Sequence, residues 1–245
     1  IITTSDAYIP IWGTYITTPV IHKDFAKVNI RTKVCLPENA DPELYTIETI
    51  IFDSSHKEVQ KTKTSLTSLP YGDISQEIII KNPVLWSPDQ PVLYTAKTLL
   101  YERNILKDQY ETPFGIRSIE IIPEKGFFLN GEKTVFKGVC NHHDLGPLGA
   151  AVNDAAIRRQ IRLLKDMGCN AIRTSHNMPA PELVKACDEM GMMLMVESFD
   201  EWNTPKCKNG YNLFFDEWAE KDLVNLIWHY RNNPSVVMWC IGNEV

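Results

Sequence analysis

Residues 170–198 read NAIRTSHNMPAPELVKACDEMGMMLMVES. NAIRTSH is a short apolar run that ends in polar side chains, and it predicts a strand. PAPELVKACDEMG predicts a helix, with proline at its start and Gly191 at its end. MMLMVES predicts a second strand, nearly continuously apolar until it reaches Glu197. Strands of this kind, separated by a helix, pair in parallel and are buried on both faces.

The same alternation extends in both directions. Upstream, VFKGV (135–139) predicts a strand. DAAIRRQIRLLKDMG (154–168) then sets Ile157, Ile161, Leu164 and Met167 on one helical face, with Asn153 or Asp154 as N-cap and Gly168 as the stop. Downstream, FDEWAEKDLVNLIWHYRNN predicts a third helix and SVVMWCIGNE a fourth strand. Each of the four strands ends in polar groups: Asn141-His142-His143-Asp144, Arg173-Thr174-Ser175-His176, Glu197 with Asp200-Glu201, and Asn243-Glu244. Sites in parallel sheets form at strand C-termini, so four such endings together point to one site.

Before residue 120 the period is two. In KVNIRTKVCL (27–36), Val28, Ile30, Val34 and Leu36 face one way, and Asn29, Arg31 and Lys33 the other. YTIETIIF, QEIII and VLYTAKTLLY follow. Turn signals at Asp53-Ser54-Ser55, Pro70-Tyr71-Gly72-Asp73 and Ser87-Pro88-Asp89-Gln90-Pro91 separate them. This predicts an antiparallel sandwich. The domain expectation is therefore 1–120 for the sandwich and 121–245 for the βα repeats.

Composition narrows the function classes. The 245 residues carry a net charge of −6, with 44% hydrophobic residues, so nothing in the charge points to nucleic acid or an anionic membrane. No apolar run approaches the ~18 residues of a membrane span. Six cysteines lack C-x-x-C spacing and read as free, mostly buried thiols. The opening IITTSDAYIPIWGTYITTPVI has no initiator Met, basic start or apolar h-region. The expectation is an N-terminally trimmed chain, with the compartment open between periplasmic or secreted and cytoplasmic.

Two stretches carry a family resemblance. HYRNNPSVVMWCIGNE (229–244) resembles the acid/base signature of glycoside hydrolase family 2, which holds β-galactosidases, β-glucuronidases and β-mannosidases. NAIRTSHNMPAPELVKACDEMGMMLMVE resembles its other signature. LWSPDQPVLYTAKT and PFGIRSIEI are similar to the end of the immunoglobulin-like domain that precedes the barrel in that family. FFLNGEKTVFKGVCNHHD is similar to the entry into the first barrel strand. Three positions depart from the family pattern. Asn233 stands for a histidine, Asn177-Met178 for an aromatic-proline pair, and Cys140 for an asparagine.

The resemblance implies a multi-domain fold: an immunoglobulin-like β-sandwich, then an incomplete (β/α)8 barrel of about four strands. It implies a retaining exo-glycosidase of the β-galactosidase type acting on a carbohydrate substrate. β-Glucuronidase and β-mannosidase are the alternatives within the family, and a non-catalytic carbohydrate-binding or interaction module outside it. Glu244 would be the acid/base, with its proton affinity raised by burial and by a second carboxylate. Its plain alternative is a solvated strand-end carboxylate. Asn243 would bind the sugar 2-OH, against a turn-forming role. Arg173 would orient the nucleophile, against a core-edge salt bridge. His142 and His176 would contact sugar hydroxyls, and Asp200 and Trp202 the substrate. Trp239, inside a strand, reads as packing.

No cofactor is required by this reading. Glu201 is the one residue offered as a metal ligand, for Mg or Na in the parent enzyme, at a spacing that fits poorly. The nucleophile would lie near strand seven. The chain is therefore expected to be a fragment, inactive alone, with Arg173 lacking its partner. Its open half-barrel is expected to favour homo-oligomers.

Overall fold

The computed structural model describes residues 5–66 and 73–244. The chain divides into two compact units, Ile1–Leu85 with Val92–Ser118, and Trp86–Pro91 with Ile119–Val245. Among the described residues, no helix is long and apolar enough to cross a membrane.

In the first unit, alternating sequence gives alternating burial. The strands are β1 (Thr14–Ile21), β2 (Phe25–Lys33), β3 (Tyr45–Phe52), β4 (Glu58–Ser65), β5 (Asp73–Lys81), β6 (Tyr94–Glu102) and β7 (Ile105–Phe114). They form two antiparallel sheets, ordered β1-β2-β5 and β4-β3-β6-β7. Val28 and Ile30 from one sheet share a core with Ile51, Ala96 and Phe114 from the other. Burying each such side chain stabilises the fold by about 1.5–3 kcal/mol. Gln76 makes the polar contacts between the sheets: its Oε1 accepts from Thr49 Oγ1 at 2.6 Å, and its Nε2 donates to Ile47 O and Thr64 Oγ1, each at 3.2 Å. A single 3-10 turn, Pro42–Leu44, is the only helical element described between residues 27 and 101.

The turn signals have distinct outcomes. Asp53 Oδ1 accepts from the backbone N–H groups of Ser55 (2.9 Å) and Lys57 (3.0 Å), closing the β3–β4 hairpin. Most of Pro70-Tyr71-Gly72-Asp73 lies outside the described residues. Ser87 and Gln90 exchange backbone hydrogen bonds at 3.0 and 3.1 Å, and their segment belongs to the second unit.

The second unit begins with a feature not anticipated from sequence. β8 (Ile119–Ile122), β9 (Gly126–Leu129) and β10 (Glu132–Lys133) form a small antiparallel sheet. Asn130 and Gly131 join β9 to β10 with φ of 54° and 82°. That pair of left-handed residues is the Asn-Gly hairpin signal, and it lay unread in FFLNGEKT.

Then comes the expected alternation: β11 (Gly138–Asn141), α1 (Asp154–Asp166), β12 (Ala171–Thr174), α2 (Pro181–Met190), β13 (Met193–Glu197), α3 (Phe215–Tyr230) and β14 (Val236–Cys240). The four strands are parallel and in sequence order. The first starts at Gly138, later than the expected 135. Asn153 caps α1 by accepting from Ala156 N at 3.0 Å, and Gly191 ends α2 at φ 73°.

Ile157 and Ile161 of α1, Val184 and Cys187 of α2, and Leu226 and Tyr230 of α3 pack on Ile172, Leu194, Val196 and Val236. Met167 does not join them. It is the C-cap residue of α1 and is 74% exposed. Of the six free cysteines only Cys187 is buried, and Cys140 and Cys207 are exposed, correcting the expectation of mostly buried thiols.

Trp86 is fully buried and donates its indole N–H to Asp188 O at 2.9 Å. Lys165 Nζ donates to the carbonyls of Pro88 (3.0 Å), Met190 (2.6 Å) and Gly191 (3.2 Å). The segment Trp86–Pro91 is thereby tied to α1 and α2. Asn233, where the resemblance led to a histidine, donates to Asp188 Oδ2 at 2.5 Å.

Candidate active site

Parallel register decides which side chains share a face. Cys140, Arg173, Met195 and Met238 are register partners across β11–β14. They stand opposite the face that packs on the helices. Glu197 follows Met195 by two residues and so shares its face. Beyond the strand ends come His142, His176, Asp200, Asn243 and Glu244. The Ser175–His176 peptide is cis.

Hydrogen bonds join the polar residues from His176 to Glu244, and a ring contact brings in His142. Arg173 donates to Glu197 through Nε (2.5 Å) and Nη2 (2.9 Å), the two-pronged geometry that suits a guanidinium. His176 Nδ1 lies 2.8 Å from Glu197 Oε1, and the His142 and His176 rings meet edge-on at 5.0 Å. Arg173 Nη2 also donates to Asn243 Oδ1 at 3.2 Å. Asn243 Nδ2 donates to Asp200 Oδ1 at 3.2 Å. Lys206 Nζ donates to Asp200 Oδ1 and Glu244 Oε2, each at 3.0 Å. The network thus reaches from His142 to Glu244.

Two expectations change here. Arg173 does not lack a partner, because Glu197, with a 0% exposed side chain, takes both prongs of its fork. Glu244 is not buried: its side chain is 74% exposed and faces the Lys206 ammonium. The electrostatics follow the contacts. Glu197, then Cys140, pushes the Arg173 guanidinium further above its ordinary value. Lys206 holds the Asp200 carboxyl below the usual range, and Asp200 and Glu244 raise Lys206 in return.

The backbone at the fourth strand end is pinned from the β13 side. Asn243 N donates to Phe199 O at 2.8 Å, and Trp202 Nε1 donates to Asn243 O at 2.7 Å. A Cβ on Gly242 would stand 2.7 Å from Trp202 Cζ2, so only glycine lets the indole approach. The Trp202 ring also packs with Phe199 (6.1 Å) and Phe215 (5.8 Å). Trp202, expected as a substrate contact, supports Asn243. Trp239 pairs with Val196 on the helix-bearing face and is 41% exposed.

Glu201 has a job of its own. Its Oε1 accepts from the backbone N–H groups of Lys206 and Cys207, and its Oε2 from Asn212. These bonds, that from Lys206 foremost, hold its carboxyl below the usual range and build the loop that carries Lys206. A carboxylate so occupied does not fit the metal role. Among the described residues no group of three or more His, Cys, Asp or Glu could hold a metal ion. Beside this loop lies a cavity of about 520 Å³, lined by Asn177, Met178, Phe199, Asp200, Tyr211 and Asn225 among others. Two of its walls are thus residues that depart from the family pattern.

Glu197 and Lys206 were missed as site residues. Glu197 was readable, since it ends a strand in phase with Met195. Lys206 sits in an irregular loop, where no periodicity points to it.

Comparison with known proteins adds the following. Residues 8–117 match the model of glycosyl hydrolases family 2, and residues 120–245 that of the family 2 TIM barrel domain. The chain is 44% identical over 236 residues to a β-galactosidase of Bacteroides ovatus, covering 96% of this chain and 28% of that protein. It is 34% identical over 205 residues to a β-glucuronidase of Streptococcus agalactiae, covering 79% of this chain and 32% of that protein. A crystal structure of a glycosyl hydrolase family 2 member from Bacteroides cellulosilyticus superposes with a TM-score of 0.92. Its identity is 36%, covering 98% of this chain and 31% of that one. The chain spans about a third or less of the length of these relatives.

Proposed function

The chain belongs to glycosyl hydrolase family 2, and from that premise we propose that it carries the acid/base side of a retaining β-glycosidase site. The observation that carries the reading is the placement of Asn243-Glu244. They lie at the C-terminal end of the fourth parallel strand, joined to Arg173 through the Asn243 amide and to Asp200 through Lys206. Sites of this fold form at that edge. The sandwich we read as immunoglobulin-like, in keeping with its split into three and four strands.

Glu244 protonates the glycosidic oxygen as the bond breaks and later takes a proton from the attacking water. Its exposed carboxylate is open to a leaving group on one side and to water afterwards. The Asn243 amide is fixed by Arg173 and Asp200, which aims it at the sugar 2-OH, a contact that strengthens in the transition state. Arg173 steadies a carboxylate nucleophile, and His142 and His176 contact hydroxyls.

The nucleophile of a retaining enzyme stands about 5–5.5 Å from the acid. The nearby carboxylates in this chain are already committed: Glu197 to Arg173 and His176, Asp200 to Lys206 and Asn243, Glu201 to backbone N–H groups. We therefore expect the 245-residue chain alone to show no turnover.

For the sugar we favour a β-galactoside. The similarity to the Bacteroides ovatus β-galactosidase supports it. The test is a panel of aryl β-galactoside, β-glucuronide and β-mannoside given to the complete gene product. Highest kcat/KM on the galactoside is expected, and preference for the glucuronide would overturn the sugar assignment.

A further inference from the structure

We propose that Glu197 is the positioning residue of this site, setting both the plane of the Arg173 guanidinium and the tautomer of His176. The proposal rests on the glycosidase reading and deepens it. A lone buried ion pair is poor evidence for stability, because desolvation offsets most of the attraction. Here the buried carboxylate does more than pair. One oxygen takes Arg173 Nε at 2.5 Å, and the other takes Arg173 Nη2 at 2.9 Å and His176 Nδ1 at 2.8 Å. The backbone N–H of Glu197 donates to Thr174 Oγ1 at 3.1 Å, which fixes the strand end itself.

Two consequences follow. A guanidinium held at two points has one plane, and it turns the other Nη2 hydrogen onto Asn243 Oδ1 at 3.2 Å. A carboxyl group that accepts from a guanidinium on both oxygens offers His176 only an acceptor. Nδ1 therefore carries a proton, and in the neutral ring Nε2 is left as an acceptor for a substrate hydroxyl. The Glu197 side chain is 0% exposed. It acts through Arg173 and His176, and its burial excludes it as the nucleophile.

Acting through Arg173 predicts a specific non-additivity. In the complete gene product, with an aryl β-galactoside, Glu197→Gln and Arg173→Met are each expected to lower kcat by about 100-fold, the cost of misplacing a catalytic contact. The double variant is expected to lose less than the product of the two single losses, because the part of the Glu197 effect that runs through Arg173 is already gone and only the part through His176 remains. An unchanged kcat in Glu197→Gln, or losses that multiply in the double variant, would overturn the proposal.

If Glu197→Gln does not fold, Arg173→Met with Glu197→Met removes both charges of the pair together and serves in the same comparison. If the wild-type product hydrolyses no glycoside, the glycosidase reading fails. The positioning claim is then decided by a crystal structure of Glu197→Gln: Arg173 and His176 displaced support it, and both unmoved overturn it.

Discussion

Glu201 Oε2 approaches Gly210 so closely that a Cβ on the glycine would stand 1.9 Å from it. Gly210 has an ordinary backbone conformation, with φ of −79°, so it is space and not torsional freedom that requires glycine here. Gly210→Ala is expected to push the Glu201 carboxylate off the N–H groups it holds. Overpacking of this kind costs about 1–3 kcal/mol. Amide exchange at Lys206, Cys207 and Asn212 should quicken in step. Unchanged exchange at these three amides would show that Glu201 does not build the loop.

The same loop should respond to pH. Asp200 and Glu201 both have carboxyls below their usual range. Their contribution to folding is fully present above about pH 4.5 and is lost as the pH falls through their folded values. Lys206 is shifted up. Its contribution is present below about pH 10.4 and is lost as the pH rises through its folded value. Amide protection in the loop, taken as exchange relative to the intrinsic rate at each pH from 2 to 7, is expected to fall on the acid side, and Glu201→Gln should flatten that fall. An identical acid profile in the variant would contradict the assignment.

Lys206→Met tests whether the ammonium steadies chemistry or structure. The ion pairs it makes are half-exposed, with side-chain exposures of 36% for Lys206 and 47% for Asp200. Such solvent-screened pairs contribute little to stability, so the melting temperature should hardly move. Activity of the complete gene product on a neutral β-galactoside should change, since both Asp200 and Glu244 lose their shared cation. A variant with wild-type kcat and KM would leave Lys206 without a role.

Trp86 predicts a stability effect far from the site. Trp86→Phe removes the indole hydrogen bond to Asp188 O, worth about 1 kcal/mol. Trp86→Ala removes the packed ring as well, at about 3–5 kcal/mol. Urea unfolding of the two variants should separate them in that order, and equal midpoints would mean that the ring packs for nothing.

Much of the second unit was legible because its strands and helices repeat a simple grammar. Arg173, His176, Asp200, Asn243 and Glu244 each stand where an apolar run stops, so their place at one edge could be read from 170–198 and 229–244. What was lost lay outside that grammar. The β8–β10 sheet is built from short strands and an Asn-Gly turn, too brief for a period to show. Lys206 acts from an irregular loop whose shape depends on Glu201 seeking backbone N–H groups, a contact no spacing rule encodes. Met167 failed as a core residue because the face predicted for α1 ran one residue past its last turn. The buried Glu197 was the readable omission, as its phase with Met195 already placed it beside Arg173.

The most direct measurement of the central claim is the response of the complete gene product to Glu244→Gln on two substrates that differ in leaving group. A 2,4-dinitrophenyl β-galactoside departs without protonation, whereas an alkyl β-galactoside needs an acid. The account predicts a fall of about 10²–10⁴-fold in kcat/KM on the alkyl substrate and little change on the activated one. Added azide should then restore turnover, because an anionic nucleophile no longer needs Glu244 as its base. Equal losses on both substrates, or no loss on the alkyl glycoside, would contradict the assignment of Glu244 as the acid/base.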